Sequence, residues 1–569
     1  MRKARVICLS VLVVAAACCL SFSSGLADGP AKDAPAAVTF TKDVAPILFN
    51  NCVECHRPND VAPMSLLTYK DARPWARSIK EAVTTKQMPP WSADPHYGKF
   101  TNDRSLSQKD VDTIAAWVDQ GAVEGNARDL PAAPAFVDGW VIGKPDAVLS
   151  MQETYTVQPN GPDEYIYFTI PTNFKEDRWV QATEIHPGNK RVVHHVIAFV
   201  QPPEVIAMMK AAGGGRGREF AGQGPNSIFY QDGKLVRVKA DAQVIDDGCA
   251  NPNGGSALGR RSGEGLGGMA LLTGYAPGKD VDIWQPGEAK KIPAGSNIVF
   301  QVHYSNFRGS SNKPETDRTT IAFVFAKEPP KKIIGTLGIQ NHYFELPPGD
   351  PSHQVTGCYT FDKDVTLIDY MPHMHLRGKD MKYDVIYPDG RTETLLWVPR
   401  YNFNWQTTYK LKEPVFLPKG TKFIVTAHFD NSEKNKYNPD PTKTVRWGDP
   451  TYDEMMIGWM DYEVDKPKDR VVAKVDPKIF DQYVGLYQVT PTFTLTVTRE
   501  GDRLMGQATG QPVVQLFPES ETKYFLKVMD IELIFAKSET GEITGVTLNM
   551  NGMQLRAKKV ANAATPPAK

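Results

Sequence analysis

Two kinds of redox chemistry are legible in the residue types of this chain. Cys52-Val53-Glu54-Cys55-His56 has the form of a haem attachment sequence. Two thiols at this spacing add to the vinyl groups of haem, and the adjacent imidazole of His56 then reaches the iron from one side. A zinc site built on the same cysteines needs a second Cys or His pair at close spacing, and the sequence offers none. An iron that transfers electrons at a raised potential wants a thioether as its sixth ligand. Met88, in Gln87-Met88-Pro89-Pro90-Trp91, is the candidate; Met64 follows His56 too closely to return to the opposite haem face, and His96 is a third option.

The second chemistry rests on His194-His195, His303, His373-Met374-His375 and Asp453-Glu454-Met455-Met456. A single histidine is more often a hydrogen-bonded structural group than a ligand, so these must be read jointly. His373 and His375 stand at i and i+2, and on a strand both imidazoles leave one face and close on one ion. Met455 adds a polarizable sulfur, and two imidazoles with a thioether favour Cu(I), the state that meets dioxygen. His194, His195 and His303 form a set without sulfur that tolerates Cu(II) and suits storage of one electron. Neighbours on a regular strand point to opposite faces, so His194 and His195 share a metal only through a twist, a bulge or ligation by different nitrogens. Zinc with three histidines and a water is the competing metal. His186, His342, His353 and His428 lie outside these motifs and read as hydrogen-bonding or surface groups; His428 has a second reading as an orienter of a ligand.

The elements that must position these groups follow from pattern. With 569 residues and 41% hydrophobic content, at ~100–200 residues per domain, the chain should form several cores. The expectation is a mainly β, multidomain protein with a small all-α domain at 38–126. In that domain Ser107 caps a final helix, with Asp110 three residues on and Val111, Ile114, Ala115 and Val118 along one face. Ala132-Ala133-Pro134-Ala135 reads as a linker. Residues 139–466 are dominated by β-branched and aromatic runs, divided into 139–328 and 333–466 by a Lys-Pro-rich stretch from Lys327 to Lys332, whose basic end reads as a solvated linker. A glycine-rich loop with Gly254, Gly255, Gly263, Gly265, Gly267 and Gly268 should be mobile. Turn signals at Glu500-Gly501-Asp502, Thr540-Gly541 and Asn551-Gly552 predict a small antiparallel barrel over 470–560.

With these residues in place, resemblances can be stated. Residues 38–126 resemble a class I cytochrome c. Arg191-Val192-Val193-His194-His195, Gln301-Val302-His303-Tyr304, His373-Met374-His375 and Asp453-Glu454-Met455, in that order over about 139–466, resemble the copper type II, ascorbate-dependent monooxygenases, the group of peptidylglycine α-hydroxylating and dopamine β-monooxygenases. The resemblance implies two packed, jelly-roll-like β-sandwiches. His194, His195 and His303 would bind an electron-transfer copper on the first. Across a solvent-filled cleft, His373, His375 and Met455 would bind the oxygen-activating copper on the second. It also implies hydroxylation of a C–H bond by O2. The peptide-processing enzymes hold a substrate carboxylate with an Arg two residues before His-x-His and an Asn and a Tyr after the Met ligand; here Met371, Ile457 and Trp459 stand at those places. A different and less polar small-molecule substrate is expected, with Trp459 read equally well as core. The last block, through Asp481-Gln482-Tyr483-Val484-Gly485 and Gly506-Gln507-Ala508-Thr509-Gly510-Gln511, resembles the lipocalin-like β domain appended to serine hydrolases of the β-lactamase type. It carries no catalytic serine, and packing is its expected role.

Electron counting completes the reading. Hydroxylation consumes two electrons beyond those of the C–H bond, each copper holds one, and the haem cycles twice, replacing or relaying from an ascorbate-like reductant or redox protein. The alternative is a periplasmic electron-transfer or copper-handling protein without hydroxylase activity; a third reading makes the histidines polar core residues. Lys+Arg and Asp+Glu balance at 65 each, so no net field draws nucleic acid or an anionic membrane. Arg2, Lys3 and Arg5 precede an apolar run from Val6 to Leu20 and small residues to Ala27, which reads as a cleaved signal peptide over 1–27 rather than an anchor or a Cys18 lipoprotein site. The expected location is therefore periplasmic or secreted, without stable membrane insertion. Of the 7 cysteines, Cys8, Cys18 and Cys19 leave with that segment. In an oxidising compartment Cys249 and Cys358 are read as a disulfide.

Overall fold

The β-branched and aromatic runs fold as expected into a mainly β protein, in a computed structural model. It describes residues 37–561 except 59, 160–162, 204, 208–227, 232–233, 238–268, 278, 280, 306–312, 343, 449, 467–471, 491–492, 510–512, 527–530 and 551–552. The leader 1–27, Cys249 and the six glycines of the expected loop lie outside the described residues. Cys358 is disulfide-bonded.

The helical block gathers around Phe40, Leu48, Ile79, Ile114 and Trp117, all buried. Ser107 caps the helix Gln108–Asp119, its side chain accepting from the Asp110 N–H, which satisfies one of the orphan donors of the first turn. The inward face is led by Ile114 together with Trp117, a residue the periodicity missed. Trp117 is fully buried, and its indole donates to the Val123 carbonyl at 2.9 Å. The block is not self-contained. Trp91 belongs to the core of residues 337–460, its ring 4.9 Å from that of Tyr409, and backbone bonds join Asp94 to Trp397, Thr101 to Lys410 and Lys412 to Lys99. Segment 91–102 thus straps the helices onto the second β region.

Eight strands form one continuous path across both β regions. It runs Ala147–Ser150, Thr320–Phe325, Arg178–His186, Glu288–Ile292, Lys332–Gln340, Ile457–Asp465, Val365–His373, Tyr409–Leu417. The first half packs its inner face, with Val180, Ile292, Ile321 and Phe323, against a four-stranded sheet supplying Ile170, Val196, Ala198 and Phe300. The second half, with Leu337, Leu367, Tyr370 and Met460, packs against another four-stranded sheet through Tyr383, Val385, Phe423 and Val425. Each fully buried side chain of this size contributes about 1.5–3 kcal/mol relative to exposure.

The two halves meet where Glu288 pairs with Lys332 and Ala289 with Ile333, in parallel. Residues 327–331 lie outside any strand, with Lys327, Glu328, Pro329 and Lys331 exposed. Lys332 opens a strand and its ammonium bonds the Glu463 carboxylate. The reason is local: strand residues Lys332 to Gln340 pair along their length with Asp465 to Ile457, so the backbone's hydrogen bonds are worth more in the sheet than in water. At the seam Lys290 is buried with its ammonium 2.9 Å from Asp461 and also donates to the Leu272 carbonyl and Thr336 hydroxyl.

The last block closes an eight-stranded barrel from Gly485–Thr490 to Met553–Ala561. Glu500 pairs with Arg503 across Gly501-Asp502, and Gly501 and Gly541 take positive φ of 60° and 85°, the left-handed values that such turns demand. Asn551-Gly552 lies outside the described residues; its flanks, Met550 and Met553, pair. Tyr483, Tyr487, Tyr524 and Phe535 fill the interior, which favours a packing role over ligand capture.

Candidate metal centre

His194 and His195 sit on strand Val193–Gln201, and His303 on Asn297–Tyr304 beside it. In the ladder His303 pairs with His195 but Tyr304 pairs with Val193, so His194 is an extra residue in a β-bulge. The bulge removes the strict alternation that would send the two rings to opposite faces. Their Nδ1 atoms come within 3.2 Å, and one ligand atom from each of the three histidines lies within 4.8 Å of the others. Among the described residues this is the one group of three His, Cys, Asp or Glu donors so disposed.

The protonation pattern points the same way. Asp163 accepts from Nε2 of His303 at 2.9 Å, which leaves Nδ1 of that ring as a bare lone pair. That atom is buried with no hydrogen-bond partner among the described residues, a state that costs free energy unless something accepts the lone pair. Two Nδ1 atoms of neutral rings facing each other likewise need a shared proton or a cation between them. Burial holds His195 well below the ordinary histidine pKa and lowers His303, keeping the imidazoles in the neutral form that binds metals. Tyr165 stacks on His303 with ring centroids 4.3 Å apart.

The second set departs from its expected form. Strand Val365–His373 ends at the first histidine, so the pair is not two same-face positions of one strand. His375 lies beyond its end, the two rings are 5.4 Å apart and nearly perpendicular. The cause is Glu454, a fully buried carboxylate that accepts from the backbone N–H of His375 at 2.8 Å and of Arg377 at 2.6 Å, replacing a neighbouring strand. Burial pushes Glu454 up to about 8, against the pull of those donors and of the Arg377 guanidinium. Nδ1 of His373 bonds the Gln406 amide oxygen at 3.0 Å and Nδ1 of His375 the Asp453 carbonyl at 3.2 Å. Both rings therefore keep Nε2 for a ligand, the reverse of the first set. Burial lowers His373 to about 4 and takes His375 well below its usual value. Met455, half-buried, stands two residues before Ile457, which pairs with His373.

Between the sets lies Phe403. Its ring stacks on His194 at 5.1 Å and meets His375 edge-on at 5.9 Å, and it is 6.3 Å from His303. The two histidine rings are thus no farther apart than those two legs laid end to end. A phenyl ring occupies space that the family resemblance assigned to solvent.

Cys52, Cys55 and His56 follow the helix Ala45–Asn51 in a turn closed by His56 N–H to the Cys52 carbonyl at 2.9 Å. Nδ1 of His56 lies 3.3 Å from the Met64 carbonyl, which leaves Nε2 for an iron. Burial pushes the Cys52 thiol up to about 12 and raises Cys55, so neither is a ready nucleophile. Met88 is half-buried where the chain leaves the helices for the strap, while Met64 packs on the helical core. His96 is tied to Asp94 at 2.6 Å.

Sequence reasoning missed Asp163, Phe403 and Gln406, which carry no local signal; Glu454 was visible only as a neighbour of Met455. Trp459 takes its packing reading, lying over Gly338, and Ile457 is core. His186, His353 and His428 bond Glu184, Asp350 and Asp380, and His342 stacks near Trp447.

Residues 469–560 match a family model described as a domain of unknown function, DUF3471. The chain is 35% identical over 79 residues to penicillin-binding protein 4* of Bacillus subtilis (strain 168), a match covering 14% of this chain and 18% of that protein. It thus spans under a fifth of that relative's length. Among solved structures, PNGF-II shares 9% identity over 58% of this chain and 66% of its own, at a TM-score of 0.25. The infectious bursal disease virus VP2 subviral particle shares 6% over 57% and 73%, at 0.16. Likenesses at those scores carry no argument about fold.

Proposed function

We propose that the chain is an exported copper-dependent monooxygenase that hydroxylates a C–H bond of a small organic substrate with O2, its electrons relayed by a fused haem c. In this reading residues 38–126 are the cytochrome, 139–328 and 333–466 the two copper-binding sandwiches, and 470–560 a lipocalin-like appendage. The observation that carries it is the bulge at His194, which turns two sequence neighbours toward His303 and leaves a buried bare nitrogen among them. A bulge at such a place is a positioned feature rather than a defect. Copper would supply one-electron storage at His194, His195 and His303 and dioxygen chemistry at His373, His375 and Met455, while haem on Cys52, Cys55 and His56, with Met88 as sixth ligand, would supply electrons singly.

The chain's own residues have separable roles. Asp163 fixes the tautomer of His303, Gln406 and the Asp453 carbonyl fix those of His373 and His375, and Glu454 holds the His375 backbone. Such supporting bonds set ring orientation and donor strength. Segment 91–102 holds the helical block against the second β region, and Arg400 donates to the Thr85 carbonyl at 3.4 Å, so the haem-bearing block abuts the segment that carries Phe403.

The test is quantification of copper, zinc and haem in the mature protein, followed by oxygen uptake with small aromatic and aliphatic compounds. The expected result is two coppers and one haem per chain, with uptake coupled to product. Met455→Ile should abolish product while haem reduction persists. Metal binding with no product from any compound, or zinc in the three-histidine site, would leave the electron-transfer or metal-handling reading instead, and product that survives Met455→Ile would remove Met455 from the oxygen site.

A further inference from the structure

Phe403 also borders a cavity of 260 Å³. Ligand pockets span roughly 300–1,000 Å³, so this one suits a single-ring molecule and not a peptide. Phe403 contributes to its lining, and Tyr401 and Tyr437 contribute further aromatic surface. The Tyr401 hydroxyl is already engaged, donating to the Met374 carbonyl at 2.7 Å, so what the residue has left to offer a ligand is its ring. Lys379 and Arg400 also line the cavity; neither makes a direct ion pair among the described residues, though the Ser352 N–H and, more weakly, Lys379 help hold the Asp350 carboxyl below its usual range. Lys379 donates to the Pro351 carbonyl and the Ser352 hydroxyl, and Arg400 to the Thr85 carbonyl. The carboxylate in the lining, Asp430, accepts the Ser432 N–H and hydroxyl on Oδ1 at 2.9 and 2.6 Å.

Two cations against one lining carboxylate, beside aromatic walls, favour an anion with a flat apolar body: guanidinium and ammonium take the carboxylate and the rings take the rest. We propose that this cavity binds a small organic acid carrying one apolar or aromatic ring, its carboxylate on Arg400 and Lys379 and its ring against Tyr401, Phe403 and Tyr437. That it is the substrate pocket rests on the monooxygenase reading; the binding itself does not. Phe403 then touches both the bound ring and His375, and Arg400 and Lys379 supply the cation that Met371 does not.

Calorimetric titration of the full mature chain with benzoate, benzyl alcohol and benzylamine tests this. Benzoate should bind about tenfold or more tighter than benzyl alcohol, as expected for a charge-assisted contact, with benzylamine weakest. The double variant Arg400→Gln, Lys379→Gln should cost benzoate about tenfold or more and benzyl alcohol under about twofold, with copper content and circular dichroism unchanged. Equal affinity for benzoate and the alcohol, no benzoate binding, or indifference to the double variant would each overturn the proposal. Charge-dependent binding without oxygen uptake by the loaded protein keeps the pocket and removes the monooxygenase reading. Coupled uptake on a neutral compound, unaffected by the double variant, does the converse.

Discussion

The two histidine sets solve the same problem with opposite means. At His194, His195 and His303 the backbone does the work: a bulge brings ring neighbours together on paired strands, and the Nδ1 atoms face inward. At His373 and His375 a side chain does it: the strand has ended, Glu454 takes the free N–H groups, and Nε2 is left to bind. In a ladder-borne site strand pairing fixes the Cα positions, so the rings can move only by side-chain rotation. The second site is supported by one carboxylate rather than by a ladder, and on the proposed reading it is the oxygen-handling centre.

The largest test of this contrast is removal of a ring. His303→Ala should lower bound copper from two per chain to one, and His375→Ala should do the same at the other site, each read by elemental analysis; loss of both ions from either variant would mean the sets are one site. Next is the seam beneath them. Lys290→Ala leaves Asp461 without its buried cation, and a broken buried pair costs about 3–5 kcal/mol, read as a lower urea midpoint. A change confined to one half of the unfolding transition would show the halves to be independent.

Asp163→Asn should weaken copper at the first site by about 10–100-fold while leaving the second untouched, measured by competition with a chelator. The smallest effect concerns Asp369. Its backbone bond to Asp461 N–H is 3.1 Å, and burial, with the Asp461 and Asp282 carboxylates adding to it, raises its pKa to about 7. A raised folded pKa means that the native state holds this proton when the unfolded chain has released it. Stability from this group is therefore lost as pH climbs from the ordinary carboxylate range to about 7. Asp369→Asn should flatten that decline in denaturation midpoints measured across the interval.

The proposed haem residues Cys52, Cys55 and His56 were singled out by spacing alone. That His194, His195 and His303 come together was legible in residue type, whereas the bulge that allows it is not encoded there. The geometry of His373 and His375 was misjudged because a period-two pattern says nothing about where a strand stops; that depended on Glu454, distant in the chain. Asp163, Gln406 and Phe403 were invisible for the same reason: each acts on a ring brought to it by the fold. The strand from Lys332 was legible only as β-rich sequence from 333 onward, because its partner, Ile457–Asp465, lies far along the chain.

The parallel seam at Glu288 and Ala289 has a mechanical consequence. His373 stands on that hydrogen-bonded surface, and the strands of His194, His195 and His303 pack against its other half, so a swing of one half away from the other would have to part the Glu288–Lys332 and Ala289–Ile333 pairing. Turning the single benzyl group of Phe403 would change the space between the rings without parting any strand, a movement on the scale of a rotamer change.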